Sequence, residues 1–367
     1  MGVTNLFVKY LWRTGLKTLV TAMAKESKAA IKRHLKSQRN QIVDVLTERS
    51  KVLEKDIKTL KIKEQSLAQL VKEFGKKQTL LEGELHRLQE ARRLDYEQYQ
   101  RTAALDNQLR LPAIETHVRS SVSESVVDTV PFPNLVVPNL FPGEFYGLLL
   151  QALPPEGFWI AGQPGRENWK IEKDVAPRFS EMVWSFVNRV GSELLVPLFL
   201  SKFETHIERF YGTVFGAEAG VRLGDLSYEI SDGRLMLRRP GYHIAPHVDP
   251  FRAMLTVLFY LAKPGDSELY GTTLCRASEE LPAERKGIDY PEKRGIVCES
   301  VKTISYQPNS ALVFLSPRSV HGADIPDDAD AGVERHALQF YVALRGESRG
   351  RLLKAARAAQ SEETVLG

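Results

Sequence analysis

Two patterns predict an α+β protein in which a double-stranded β-helix, or jelly roll, with flanking helices follows a long α-helical coiled coil. A leucine-centred seven-residue repeat runs from residue 42 to residue 94, and short apolar strands separated by turns run from residue 224 to residue 344. Length makes room for both: 367 residues, 43 % hydrophobic and 26 % charged, suffice for one large core plus an appendage. The expected boundaries are a basic amphipathic helical segment over 1–40, the coiled coil over 41–104, a linker over 105–130, the jelly roll over 131–346 and a C-terminal helical tail over 347–367.

In residues 3–20, Phe7, Val8, Leu11, Trp12 and Leu19 share one side of a helix, with Lys9, Arg13 and Lys17 opposite at four-residue spacing. Such a helix is too short and too charged to span a bilayer. It suits an anionic membrane surface or packing on its own protein or a partner. Leu46, Leu53, Leu60, Leu67, Phe74, Leu81 and Leu88 then recur every seven residues, and three positions before each stand Val43, Ser50, Ile57, Glu64, Val71, Gln78 and Leu85. Apolar side chains in this rhythm form the seam of a coiled coil. No Pro or turn signal breaks the register, which favours a homo-oligomer over an internal hairpin; dimer and trimer both fit. Glu64 and Gln78 in the seam cost stability and can set register.

Pro112 and the polar run 120–125 predict the linker. A short strand within 132–141 and a helix from Pro142 to residue 153 follow, with Pro at the helix start. Between 177 and 210, Met182, Val183, Phe186 and Val190, then Leu198, Phe203, Ile207 and Phe210, keep helical spacing, so helices back a sheet there, with Trp184 and His206 as core or surface. A strand over 225–230, a turn at Ser231-Asp232-Gly233 and a strand over 234–239 form a hairpin before the strand of residues 241–260. Further strands at 271–275, 301–306, 311–315 and 335–344 bring the total to the eight or so of a jelly roll. The charged segment 277–295, with Pro282 and Pro291, is expected as a loop over its mouth, and Leu352, Leu353 and Ala356 mark the tail.

The net charge of +4 is unevenly spread: nine basic side chains against Glu26 through residue 40 leave the rest of the chain at −4. The globular part is therefore not a basic nucleic-acid platform, no recognisable nucleic-acid motif accompanies it, and nucleic acid is not an expected partner. Only two cysteines occur, Cys275 and Cys298, without a Cys-x-x-Cys pattern, so the sequence offers neither a disulfide framework nor a structural zinc cluster. A reducing, cytoplasmic setting fits, peripheral at the inner membrane surface where the N-terminus engages lipid.

One stretch carries the chemistry. Gly241-Tyr-His-Ile-Ala-Pro-His247-Val-Asp249 precedes a long apolar strand, and side chains two apart on an extended backbone point to one face. An imidazole and a carboxylate thus converge on one ion. A third ligand, His321, follows the apolar strand 311–315. Two imidazoles and one carboxylate on one face of an octahedral ion is the arrangement of oxygen-activating non-haem Fe(II) sites. Fourteen residues on, Arg335 offers a bidentate guanidinium to a carboxylate; Asp324 and Asp327 compete for it, and Arg238, Arg239 and Arg318 are alternative carboxylate partners. His243 shares the face of His247 by parity, whereas His336 faces away from Arg335.

This ordered series resembles the Fe(II)- and 2-oxoglutarate-dependent oxygenases, in a bacterial prolyl-hydroxylase-like form, over 131–344: Gly241 six residues before His247, Phe259-Tyr260-Leu261 ending a strand, Tyr270-Gly271-Thr272, Gln307-Pro308-Asn309 ahead of the strand before His321, and Arg335. The acidic segment 324–330 lengthens the interval from His321 to Arg335. The resemblance implies that His247, Asp249 and His321 ligate Fe(II), that Arg335 binds the distal carboxylate of 2-oxoglutarate, and that with O2 the protein hydroxylates a C–H bond of a small-molecule or glycan substrate. Asp249 stands where a halogenase would leave room for halide. The reading from another class is an oligomeric coiled-coil scaffold at a membrane surface, serving glycan assembly, whose jelly roll binds a ligand without turnover.

Overall fold

The computed structural model describes residues 31–215, 226–281, 287–348 and 350. The amphipathic helix expected in 3–20, the centre of the 277–295 loop and the tail beyond residue 350 lie outside the described residues. The chain divides at residue 83 into two units.

Helix α1 (Ile31–Glu97) supplies every described residue of the first unit and runs 67 residues without interruption. Leu, Lys, Glu and Gln dominate it, all good helix formers, and no Pro occurs. Thr59, Ser66 and Thr79 turn their hydroxyls back onto carbonyls four residues earlier, so these weaker formers stay within the helix. The repeat is exposed: Leu53, Leu60, Leu67, Phe74 and Leu81 are each more than half accessible.

The second unit corrects the linker over 105–130. Residues there form α2 (Tyr99–Gln108) and α3 (Leu111–Glu124), with Leu105, Ile114, Val118 and Val122 buried in the main core. Pro112 does not break a helix but sits in the first turn of α3, where its missing N–H has no intrahelical partner to lose. The serine run is ordered too, Ser121 donating to the Asn139 carbonyl at 3.0 Å and Ser125 to the Ser121 carbonyl at 2.8 Å.

The remainder is mixed helix and antiparallel sheet. Seven strands pair in the order β1 (Asn134–Val137), β9 (Ser310–Leu315), β6 (Ala253–Tyr260), β11 (Arg335–Leu344), β4 (Tyr228–Arg238), β3 (Arg166–Lys170) and β2 (Ile160–Ala161). Four pair as β5 (Tyr242–His247), β10 (Val320–Ile325), β7 (Thr272–Ala277) and β8 (Cys298–Ile304). Residues of both sheets, Met236, Leu258, Tyr260 and Phe314 with Leu274 and Ile304, share one core. The expected helix after Pro142 is α4 (Gly143–Gln151), whose Tyr146 packs against Phe259, and the other face of the larger sheet is covered by α5 (Arg178–Val190) and α6 (Val196–Phe215), through Val183, Trp184, Phe199, Phe203 and Ile207. β6 is thus buried along its whole length on both faces, which explains an apolar run broken only at Thr256. Trp184 is core, as expected, its indole donating to the Ala152 carbonyl at 2.7 Å.

Three local differences have physical causes. The expected turn at 231–233 is a bulge within the single strand β4: three β4 steps from Ser231 to Arg234 face two β11 steps, and Gly233 eases the extra residue. A π turn at Gly191–Leu195 separates α5 from α6 just before Pro197, which has no N–H to give the preceding turn. β10 was not expected from its small and polar sequence Val-His-Gly-Ala-Asp-Ile.

Candidate active site

His247 ends β5 and His321 lies near the start of β10, and the two are directly paired across the sheet, their rings 4.3 Å apart. Asp249 follows just after β5. Their donor atoms all lie within 4.8 Å of one another, and all three side chains are buried. His247 Nε2 stands 3.9 Å and His321 Nε2 3.6 Å from the Asp249 carboxylate. The three ligands expected from sequence therefore converge.

Their neighbours fix the chemical form of each. His247 Nδ1 lies 3.0 Å from the Ala245 carbonyl and His321 Nδ1 3.2 Å from the Ser319 carbonyl. A carbonyl only accepts, so both Nδ1 atoms carry the proton and both Nε2 lone pairs are left for the centre. Burial, then repulsion from His321, pushes the His247 pKa down to about 4 against the pull of Asp249, so His247 is neutral at neutral pH. For Asp249, burial acts to raise the pKa, but His321, His247 and the hydroxyls of Thr256 and Tyr341 outweigh it and hold the carboxyl below its ordinary value. Thr256 Oγ1 donates to Asp249 Oδ2 at 2.6 Å and Tyr341 Oη to Oδ1 at 3.0 Å, which orients the carboxylate.

Two imidazole nitrogens and one carboxylate oxygen, dry and held from behind, fit a divalent transition metal better than Mg²⁺ or Ca²⁺, which take oxygen donors. The same cavity is lined by Arg335. Its guanidinium donates to Thr272 Oγ1 at 3.1 Å and lies near the faces of Tyr260 and Tyr306, 5.3 and 5.7 Å from their centroids, while its Nε is buried with no partner. It is not paired with Asp324 or Asp327, the competitors sequence suggested. That orphaned donor fits an absent carboxylate.

Among the alternative arginines, Arg238 lines the cavity, whereas Arg239 pairs with Glu156, Glu167 and Glu334, and Arg318 pairs with Glu280. His243 lies outside the site, hydrogen-bonded on the surface with Asp324, Nδ1 to Oδ1 at 2.9 Å. Parity misled here because β5 bulges: Ile244 pairs with Ala323 but His247 with His321, which reverses the alternation between residues 243 and 247. His336 faces away, packed 5.6 Å from Trp159.

Sequence reasoning missed Thr256, Tyr341, Tyr290 and Ile288. The first two sit on strands whose alternation is visible in sequence, so a polar residue at an inward position of an apolar strand was the signal available. Ile288 and Tyr290 line the cavity from the expected mouth loop, which is tied to the ligand strand at Val248: its N–H donates to the Asp289 carbonyl at 2.8 Å, and the Asp289 N–H donates back at 3.0 Å.

No protein-family model and no curated protein matches this chain. Solved structures similar to it include a Pseudomonas putida prolyl-4-hydroxylase, 16 % identical over 62 % of this chain and 98 % of that one, with a TM-score of 0.34. An oxidoreductase of the 2OG-Fe(II) oxygenase family from Burkholderia pseudomallei is 13 % identical over 62 % of this chain and 89 % of that one, TM-score 0.35. HygX from Streptomyces hygroscopicus, with nickel and 2-oxoglutarate bound, is 11 % identical over 58 % of this chain and 83 % of that one, TM-score 0.38.

Proposed function

We propose that this chain is an Fe(II)- and 2-oxoglutarate-dependent dioxygenase that hydroxylates a C–H bond. The observation that carries the reading is the buried convergence of His247, Asp249 and His321 in a cavity that also holds an unsatisfied Arg335. Fe(II) bound by the triad, with 2-oxoglutarate and O2, supplies oxidation of a C–H bond coupled to release of succinate and CO2.

The protein's own part is positional and electrostatic. Asp249 is held ionised by the hydroxyls of Thr256 and Tyr341, His247 is kept neutral by burial, and both imidazoles have Nδ1 turned to a carbonyl, which leaves Nε2 as the atom each offers to a cation. Arg335 and Thr272 offer the far carboxylate of 2-oxoglutarate a charged, dry seat on β11 and β7. Met236, Leu258 and Ile288 line the cavity with apolar surface, which limits water near the reacting carbon.

The scaffold reading explains less. It leaves a buried carboxylate, two imidazoles and a guanidinium without a reason to be dry, although burying such groups unpaired costs several kcal/mol, about 2–7 for a polar group and more for a charge. The test is succinate formation by purified protein given Fe(II), 2-oxoglutarate and O2, beside its metal content. Turnover that survives in His247→Ala or Asp249→Ala overturns the oxygenase reading; metal binding and 2-oxoglutarate binding lost in both variants support it.

A further inference from the structure

The cavity carries more positive charge than one dicarboxylate cosubstrate requires. Besides Arg335 it is lined by Arg166, Arg234 and Arg238. Arg335 pairs with Arg238 across β11 and β4, and Arg238 pairs with Arg166 across β4 and β3. Residues directly opposite in antiparallel strands share a face, so these arginines form a row leading outward from the cosubstrate seat. Their acceptors are all neutral among the described residues. Arg166 donates to the His243 carbonyl at 2.6 Å, Arg234 to the Gln339 amide oxygen, and Arg238 to the Glu167 and Leu237 carbonyls at 2.6 and 2.9 Å and to Asn168 Oδ1 at 3.0 Å. Arg239, the next residue, by contrast pairs with three carboxylates. Arg238 is only 5 % exposed, and the Nε atoms of Arg234 and Arg238 are buried without a partner. Buried guanidinium groups left without a counter-charge lack their usual compensation.

We propose that the β3–β4 side of this cavity binds an oxyanion of the substrate, a carboxylate or phosphate group held by Arg166 and Arg234 with Arg238 behind them. The word substrate rests on the oxygenase reading; the anion site does not. The test uses full-length protein loaded with Mn(II) and saturated with 2-oxoglutarate without O2, titrated calorimetrically with inorganic phosphate and, separately, with malonate. Saturable binding of either probe, weakened at least tenfold in Arg166→Gln and in Arg234→Gln while 2-oxoglutarate affinity stays within twofold, supports the site, and the preferred probe identifies the anion. No saturable binding of either, or binding that neither variant weakens, overturns it. The same titrations on metal-free protein separate the two readings: anion binding there that both variants weaken sustains the site even if metal-dependent 2-oxoglutarate binding is absent.

A different observation carries a second inference. Flanking the exposed seam of α1, the residue just before each Ser50-type position and the residue just after each Leu53-type position are charged at seven of the ten places between residues 49 and 82. A parallel, in-register pair sets the first kind against the second one heptad on in the other copy. That register joins Arg49 to Glu54, Asp56 to Lys61 and Lys77 to Glu82, while Lys63 meets Ala68 and Leu70 meets Gly75. Every doubly charged juxtaposition is attractive. Ile57 and Val71 are β-branched opposite a Leu-rich row, the combination that favours two strands. We infer that residues 49–82 form a parallel two-stranded coiled coil with a second copy of this chain.

Sedimentation of the full chain should give the mass of two copies, and Leu81→Cys should cross-link to itself under mild oxidation, since only a parallel register brings these off-centre positions together. Glu54→Lys with Glu82→Lys should raise the dimer dissociation constant at least tenfold, and adding Arg49→Glu with Lys77→Glu should restore it. A monomer, a trimer, a dimer in which Leu81→Cys does not cross-link, or failure of the compensating pair overturns the inference.

Discussion

The helix of residues 47–82 and the two-sheet head break the ordinary partition of side chains in opposite directions. Along the helix, Leu60, Leu67 and Phe74 stand in water; in the head, Asp249, His321, Arg238 and Arg335 are taken out of it. An exposed surface leucine alone means little, and a buried charge rarely occurs unpaired. Each becomes informative when repeated: an apolar row every seven residues asks for another helix, and a converging set of dry donors asks for an ion and an anion. The contrast teaches where to look for missing partners, outside the seam in one region and inside the cavity in the other.

Removing a donor attacks the head side of this contrast most directly. Asp249→Ala should abolish metal retention and lower succinate formation by more than about 100-fold, since even changes behind a ligand cost 10- to 100-fold; metal analysis and turnover check it. Retained metal would make the buried cluster ordinary packing.

Acid comes next. His336 is pushed down to about 4, chiefly by burial and then by Lys263, and His247 is likewise near 4. Both folded values lie below the unfolded histidine value of about 6.5, so the unfolded chain takes up protons first as pH falls. Metal-free protein should keep its full stability above about pH 6.5 and lose on the order of 3 kcal/mol per histidine on descending to about pH 4. Denaturant titrations from pH 7 to 4 measure this, and His336→Gln should flatten part of the slope.

Arg335→Ala should raise the 2-oxoglutarate concentration for half-saturation by about 10- to 100-fold, the worth of a charge-assisted pair, with Arg335→Lys recovering part of it. Binding calorimetry decides. Gly271→Ala tests the frame that carries Thr272 to Arg335: an added Cβ would meet the Ile304 carbonyl oxygen at 1.7 Å, so β7 and β8 must part there, at a cost of about 1–3 kcal/mol in thermal stability.

The smallest effect on the head should come from the helix. Leu67→Ser removes a side chain that is 63 % exposed in the single chain, so the stability of the head should change by less than about 0.5 kcal/mol and its metal content not at all, while the assembled mass shifts. A change in head melting would join the two regions that the contrast separates.

What could be read from sequence followed from periodicity. The seven-residue row predicted the long helix, although its pairing with a second copy remains a proposal, and alternation with apolar runs predicted most strands and the face shared by His247 and Asp249. What could not be read were the places where one residue disturbs the period. The Ser231–Gly233 bulge looked like a turn because Ser-Asp-Gly is turn-like, and the β5 bulge reversed the side on which His243 falls. The linker was misread because Pro112 and a serine run signal breakage only when no neighbouring core needs Ile114, Val118 and Val122. Arg335 and Arg238 were readable as carboxylate partners, but the row they form with Arg166 was not, since it depends on which residues of β11, β4 and β3 pair across the sheet.

The two hydrogen bonds between Val248 and Asp289 lie at the peptide separating His247 from Asp249. Any swing of that loop away from the cavity must tug on one short span of backbone with a metal donor at either end. In the proposed metal-bound protein, displacing Asp289 would therefore pull on the backbone that joins two of the ion's donors, and the rate of metal loss would report on the integrity of that tie.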